Sequence, residues 1–200
     1  MKSAVSAMTL YGWRMLIEPS HLGFGYGKTE PPLPYMIDNG AWGSFNRGVP
    51  WDGDRFIEML DMWASGADMI VLPDIVGGGD ESLARSVEWL PKVAEYGIPM
   101  LLAVQDGMVV TDVQRFVRRH GVGLFIGGST EWKESTLPVW GRLAAREGCW
   151  LHVARVNSVR RIRLCQLAGA HSFDGTSVTK FPESIRRLDH ARRQPALFSA

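Results

Sequence analysis

Residues 100–128 read MLLAVQDGMVVTDVQRFVRRHGVGLFIGG. The stretch opens on an apolar run, Met100 to Val104, which stops at Gln105. It closes on a second run, Gly123 to Ile126, which stops at Gly127-Gly128. Residues 110–120 between them read as a helix. Apolar runs this short, without polar alternation, fit parallel strands covered by helices on their faces. The same pattern predicts strands over 11–17, 34–38, 69–74, 150–155 and 171–174. Further helices are predicted over 54–65, 80–96, 131–147, 157–168 and 182–193. In 80–96, Asp80 serves as a cap, Leu83, Val87, Leu90 and Val93 form a helical stripe, and Gly97-Ile98-Pro99 ends the segment. Asn157 or Ser158 caps 157–168, and Gly169 stops it.

Successive strand ends lie roughly 20 to 35 residues apart, the spacing of βα units. The expected fold is α/β, a TIM-type (β/α)8 barrel in one domain, residues 1–200. The length is at the lower limit for that fold, and an eighth strand is missing or hidden in the C-terminal region. The barrel is therefore expected to be small, incomplete or trimmed. An open doubly wound sheet is the alternative. The Gly- and Pro-rich loop 18–33 is expected to cover the mouth.

Hydrophobic residues make up 46% of the chain and charged residues 22%, as in soluble globular proteins. No apolar run approaches the roughly 18 residues of a membrane span. The N-terminal stretch lacks a signal-peptide core, so a cytoplasmic protein is expected. Cys149 and Cys165 form no C-x-x-C pair; two reduced core thiols and no metal site are expected. Residues 1–150 hold 13 basic and 18 acidic side chains, net −5, whereas residues 151–200 hold 9 and 3, net +6. That asymmetry fits either a nucleic-acid footprint or solvated arginines at helix ends.

A barrel gathers the C-terminal ends of its strands around one mouth. Asp38, Asp74, Gln105, Gly127-Gly128 and Asp174 each stand where a predicted strand ends, so they are expected to share one pocket. Asp174 is the candidate nucleophile, since a carboxylate can attack a sugar anomeric carbon. A second carboxylate can shuttle protons. Gln105 offers a donor and an acceptor to a heterocycle edge, and Gly127-Gly128 offer bare backbone N–H groups. Asp38 and Asp74 read equally as turn residues. Arg155 could meet a phosphate, and His152 reads as a core or supporting histidine. Trp42, Phe45 and Trp51 could stack on a base, although lid packing suits Trp51 better.

Five short segments occur in the order found in the tRNA-guanine transglycosylase superfamily, which the chain resembles over residues 35–181. Asp38-Asn39-Gly40-Ala41-Trp42 is similar to that family's D-S-G-G-F-Q. Pro73-Asp74-Ile75 stands at its base-recognising aspartate, and Val104-Gln105-Asp106-Gly107 at its V-Q-G-G. Ile126-Gly127-Gly128 matches I-G-G, and Phe173-Asp174-Gly175 opens the nucleophile segment, which runs on to Val178-Thr179-Lys180. The family's zinc ligands and RNA-binding domain are missing, so the resemblance is greatest to compact phage-type 7-deazaguanine DNA transglycosylases. It implies exchange of guanine in DNA for a free 7-deazaguanine base, such as 7-cyano-7-deazaguanine, without cofactor or metal. Asp174 would be the nucleophile and Asp38 the proton carrier. Asp74, Gln105, Gly127 and Gly128 would read the base, and Arg155, Lys180, Arg160 and Arg161 would hold DNA. A monomer in the cytoplasm, the host's if phage-encoded, is implied. The alternatives are exchange on RNA, N-glycoside hydrolysis, and nucleic-acid binding without catalysis.

Overall fold

The computed structural model of the chain describes residues 2–22 and 31–194. Residues 23–30 of the expected mouth-covering loop lie outside the described residues. The strands are β1 (Met15–Ile17), β2 (Tyr35–Ile37), β3 (Ala67–Val71), β4 (Met100–Val104), β5 (Gly123–Ile126), β6 (Leu151–Val153) and β7 (Ser172–Phe173). They lie side by side in chain order, and every neighbouring pair is parallel. A doubly wound sheet reverses its strand order at a switch point. This sheet never reverses, so it curls in one direction as an incomplete TIM-type barrel. No eighth strand follows β7 among the described residues, and β7 does not pair with β1.

The helices are α1 (Lys2–Tyr11), α2 (Ala41–Arg47), α3 (Gly53–Trp63), α4 (Gly79–Ala94), α5 (Val110–His120), α6 (Thr130–Glu147), α7 (Val159–Leu167), α8 (Ser177–Lys180) and α9 (Ile185–Arg193). Gly78, not Asp80, occupies the cap position of α4, and Asp80 lies in its first turn. Ser158 caps α7 by accepting from the Arg161 amide, and Gly169 follows the helix in the left-handed conformation. Sequence reading did not foresee α1, α2 or α8. The edge between β1 and β7 is bridged by side chains: Trp13 meets Phe173 edge-on at 6.1 Å and donates from Nε1 to Asp189 of α9 at 3.0 Å.

Side chains alternate between the two faces of the strands, as the extended backbone requires. Leu102, Val104, Leu124, Ile126, Leu151 and Val153 join the large outer core beneath the helices. Leu101, Ala103, Phe125 and Ala154 join a smaller cluster on the inner, concave face with Met36 and Val71. Burial on both faces explains why the strand sequences show no polar alternation. Register also dictates a glycine: a Cβ at Gly123 would stand 2.5 Å from Leu101 Cδ2 and 2.8 Å from the Trp150 carbonyl.

Candidate active site

Each strand delivers its next residues to the same rim. A cleft of about 1520 Å³ opens there, lined among others by Glu18, Asp38, Asp74, Gln105, Arg155 and Asp174. The residues predicted from strand ends therefore meet. Glu18 follows β1 and was missed, although it ends an apolar run as Asp38 does.

Asp38 is partly buried at the end of β2. Its amide donates to the Ile17 carbonyl at 2.7 Å, and among the described residues its carboxyl receives only a long contact from the Gly40 amide, 3.4 Å. Burial, together with Asp74, Asp174 and Glu18, drives its pKa from 3.8 up to about 8. Asp38 is thus a carboxylic acid that keeps its proton at neutral pH. Asp74 is buried and better supported. Asn39 Nδ2 donates to its Oδ1 at 2.8 Å and Gln105 Nε2 to its Oδ2. Burial raises its pKa, while Asn39, Gln105, Arg85 and Arg155 oppose that rise.

Gln105 works inside the protein. Its Oε1 accepts from the Gly128 amide at 2.9 Å and from the Gly77 amide at 3.4 Å. The Gly127 amide donates to Val104 O at 3.0 Å. The backbone donors of Gly127 and Gly128 are therefore already engaged within the chain. Gly127 is required for close approach, because a Cβ there would lie 2.6 Å from Gln105 Nε2.

Asp174 follows β7. The Arg155 amide donates to its Oδ1 at 3.0 Å, and His152 Nε2 lies 3.1 Å from its Oδ2. His152 is buried on the concave face and stacks on Phe125 at 4.8 Å between ring centroids. Arg155 is the non-glycine residue with left-handed backbone among the described residues, φ 60°. Such strain persists only where surrounding contacts impose it. Here the guanidinium lies 4.0 Å above the Trp42 ring and donates to Gly128 O, and the Arg155 amide holds Asp174. Trp42 stacks in turn on the exposed Phe45 at the rim. Trp51 packs against Phe56 and Trp89 and donates to Asn39 O.

Lys180 is exposed beside the cleft on α8. Arg160 and Arg161 both pair with Glu134 of α6, Arg161 at 2.8 Å. Lys133, not foreseen, is buried and donates to Ala154 O; burial first, then Arg155, lowers its pKa to about 8. Among the described residues, no three His, Cys, Asp or Glu side chains are gathered to hold a metal ion. No described helix is long and apolar enough to cross a membrane.

The sheet and its rim define a TIM-type α/β protein with its candidate site at the C-terminal strand ends. No protein-family model matches the chain, and no curated protein does. Similar solved structures include a 3-hexulose-6-phosphate synthase, 15% identical, matched over 95% of this chain and 93% of that one with a TM-score of 0.57. Another is the 3-hexulose-6-phosphate synthase from Salmonella typhimurium, 13% identical, matched over 90% and 97% with a TM-score of 0.53. At these identities the likeness concerns the fold.

These neighbours belong to a different TIM-barrel family from the tRNA-guanine transglycosylases, and they overturn that resemblance. The guanine exchange in DNA expected from it, with its 7-deazaguanine co-substrate, falls as well. The physical reason lies in the motifs. In this chain Gln105 holds Asp74 and the Gly128 amide, and Gly127 packs against Gln105, so these short matches serve the turns and packing of the fold itself.

Proposed function

We propose that this protein is an enzyme that moves protons on a small hydroxylated carbonyl compound bearing an anionic group. The observation that carries the reading is the placement of Asp38 and Asp174 in one cleft under opposite support. Asp38 is nearly unsupported among the described residues and protonated, whereas Asp174 has a hydrogen-bond partner on each oxygen. Paired carboxyls in contrasting environments suit acid and base roles at one centre.

In this reading Asp174 takes a proton from the carbon beside the carbonyl. The C–H electron pair forms a carbon–carbon double bond, and the carbonyl oxygen receives the proton of Asp38, giving an enediol. Asp74, held by Asn39 and Gln105, fixes substrate hydroxyls. Arg155 takes the anionic group, with Lys180 lining the same cleft, and Trp42 floors the Arg155 end. The solved structures with this fold include enzymes named for a ketose phosphate, which supports the substrate class.

The test is amide and indole NMR of the protein titrated with ketose phosphates, aldose phosphates and hydroxy acids. The reading expects shifts centred on Trp42, Gly128, Arg155 and Gly175. Binding of none of these classes, or shifts confined to the opposite end of the barrel, contradicts it.

A further inference from the structure

Asp174 stands at the head of a hydrogen-bonded file that runs down the concave face of the sheet. His152 Nε2 lies 3.1 Å from Asp174 Oδ2, and His152 Nδ1 lies 2.8 Å from Ser172 Oγ. Trp150 Nε1 lies 2.9 Å from the same Ser172 oxygen. Register sets these partners opposite each other, because β6 and β7 pair with His152 against Ser172. The imidazole has no freedom to turn away, being 2% exposed and stacked 7° from parallel on Phe125.

Counting protons gives the file a direction. The indole N–H can only donate, so Ser172 Oγ accepts from Trp150. Ser172 Oγ keeps one proton and one lone pair for His152 Nδ1, while the Asp174 carboxylate can only accept, so Nδ1 accepts the Ser172 proton and the ring proton lies on Nε2. That proton points at Asp174. The Arg155 amide holds the other carboxyl oxygen. Both oxygens are thereby fixed in angle, and their remaining lone pairs are left to the cleft.

We propose that His152 is a positioning residue for Asp174, locked in its Nε2–H form by Ser172 and Trp150. The inference rests on the acid–base reading of the cleft only for its effect on turnover; the locked tautomer is a property of the free protein. A ligand-free protein labelled with 15N-histidine tests it by long-range 1H–15N correlation. The expected spectrum has a pyrrole-type Nε2 and a pyridine-type Nδ1 for His152, with one slowly exchanging ring proton. Ser172→Ala, which keeps the packing but removes the hydroxyl, is expected to mix the two tautomers. An Nδ1–H ring, or a tautomer unchanged by Ser172→Ala, overturns the proposal, whatever becomes of the search for a substrate.

Once a substrate is in hand, His152→Leu is expected to lower kcat about 10- to 100-fold, with KM changed by less than about threefold. A misplacement of about 1 Å at a reacting group can cost about 100-fold in rate. His152→Gln, whose amide can still donate toward Asp174, is expected to recover most of that loss. Equal damage from Leu and Gln, with correct folding, assigns His152 to packing and contradicts the proposal.

Discussion

Replacing Asp38 by Asn should make the protein more stable at pH 7 and leave it nearly unchanged near pH 4. The unfolded chain releases the Asp38 proton around 3.8, whereas the folded protein retains it up to about 8. Between those values the folded state binds more protons than the unfolded state, so stability falls as pH rises. Below 3.8 both states are protonated and the effect vanishes. At pH 7 the gap above 3.8 corresponds to about 4 kcal/mol at 1.36 kcal/mol per unit. Asp38 keeps some solvent contact at the cleft, and screening leaves about 2–4 kcal/mol. Asn has nearly the same shape, carries no charge and still offers an oxygen to the Gly40 amide. Calorimetry of both proteins from pH 4 to 8.5 checks the magnitude. The variant should melt about 4–16 °C higher at pH 7, with the difference shrinking toward zero at pH 4. A constant difference across that range would refute the claim that Asp38 is held protonated. Higher stability together with lost turnover is the expected signature of a strained functional group.

Gly127→Ala should cost about 1–3 kcal/mol in urea unfolding, because the new methyl meets Gln105 Nε2 at 2.6 Å. Gln105→Leu should cost about 2–3 kcal/mol, since it strands Asp74 Oδ2 and the Gly128 amide. The two changes disturb one network, so the double variant should lose less than the sum of the singles. Lys133→Met should stabilise the protein at pH 7 by about 1–3 kcal/mol. Wild-type stability should rise between pH 8 and 10.5, where folded Lys133 has lost a proton that the unfolded chain keeps, and the variant should lack that rise.

Much of the framework can be read directly from residues 100–128 and their counterparts. An apolar run closed by a polar residue marks a strand and its mouth-facing end at once. Five of the seven strand ends were located this way, by Asp38, Asp74, Gln105, Gly127-Gly128 and Asp174. Glu18 escaped because β1 has only three residues and Pro19-Ser20 makes its end look like loop. The helix α2 escaped because AWGSFNR, between two glycines, reads as a turn; tertiary packing of Ala41 and Ser44 holds it. Arg155 was placed at its strand end, but its left-handed backbone has no local signal, since it is imposed by Trp42, Gly128 and Asp174 from three other segments. Lys133 looks like any charge on an amphipathic helix until its contact with Ala154 is seen.

The choice of chemistry was the least legible part. Asp38, Asp74 and Asp174 were visible as a set, but the set alone does not name a substrate. The short segments around them pointed to the wrong family because strand-end turns reuse the same few residues. What separates the carboxyls is their support: two hydrogen bonds on Asp174, two on Asp74 and one long contact on Asp38. Those differences arise from side chains far apart in sequence.

The central claim is that Asp38 and Asp174 move protons on a bound hydroxylated carbonyl compound. It is tested most directly by incubating the protein with ketose and aldose phosphates in deuterated water and following the hydrogen beside the carbonyl by NMR. The account predicts that the wild-type protein replaces that hydrogen with deuterium in at least one compound, and that Asp174→Asn and Asp38→Asn do not. Binding without exchange by the wild-type protein, or exchange that survives both substitutions, would contradict it.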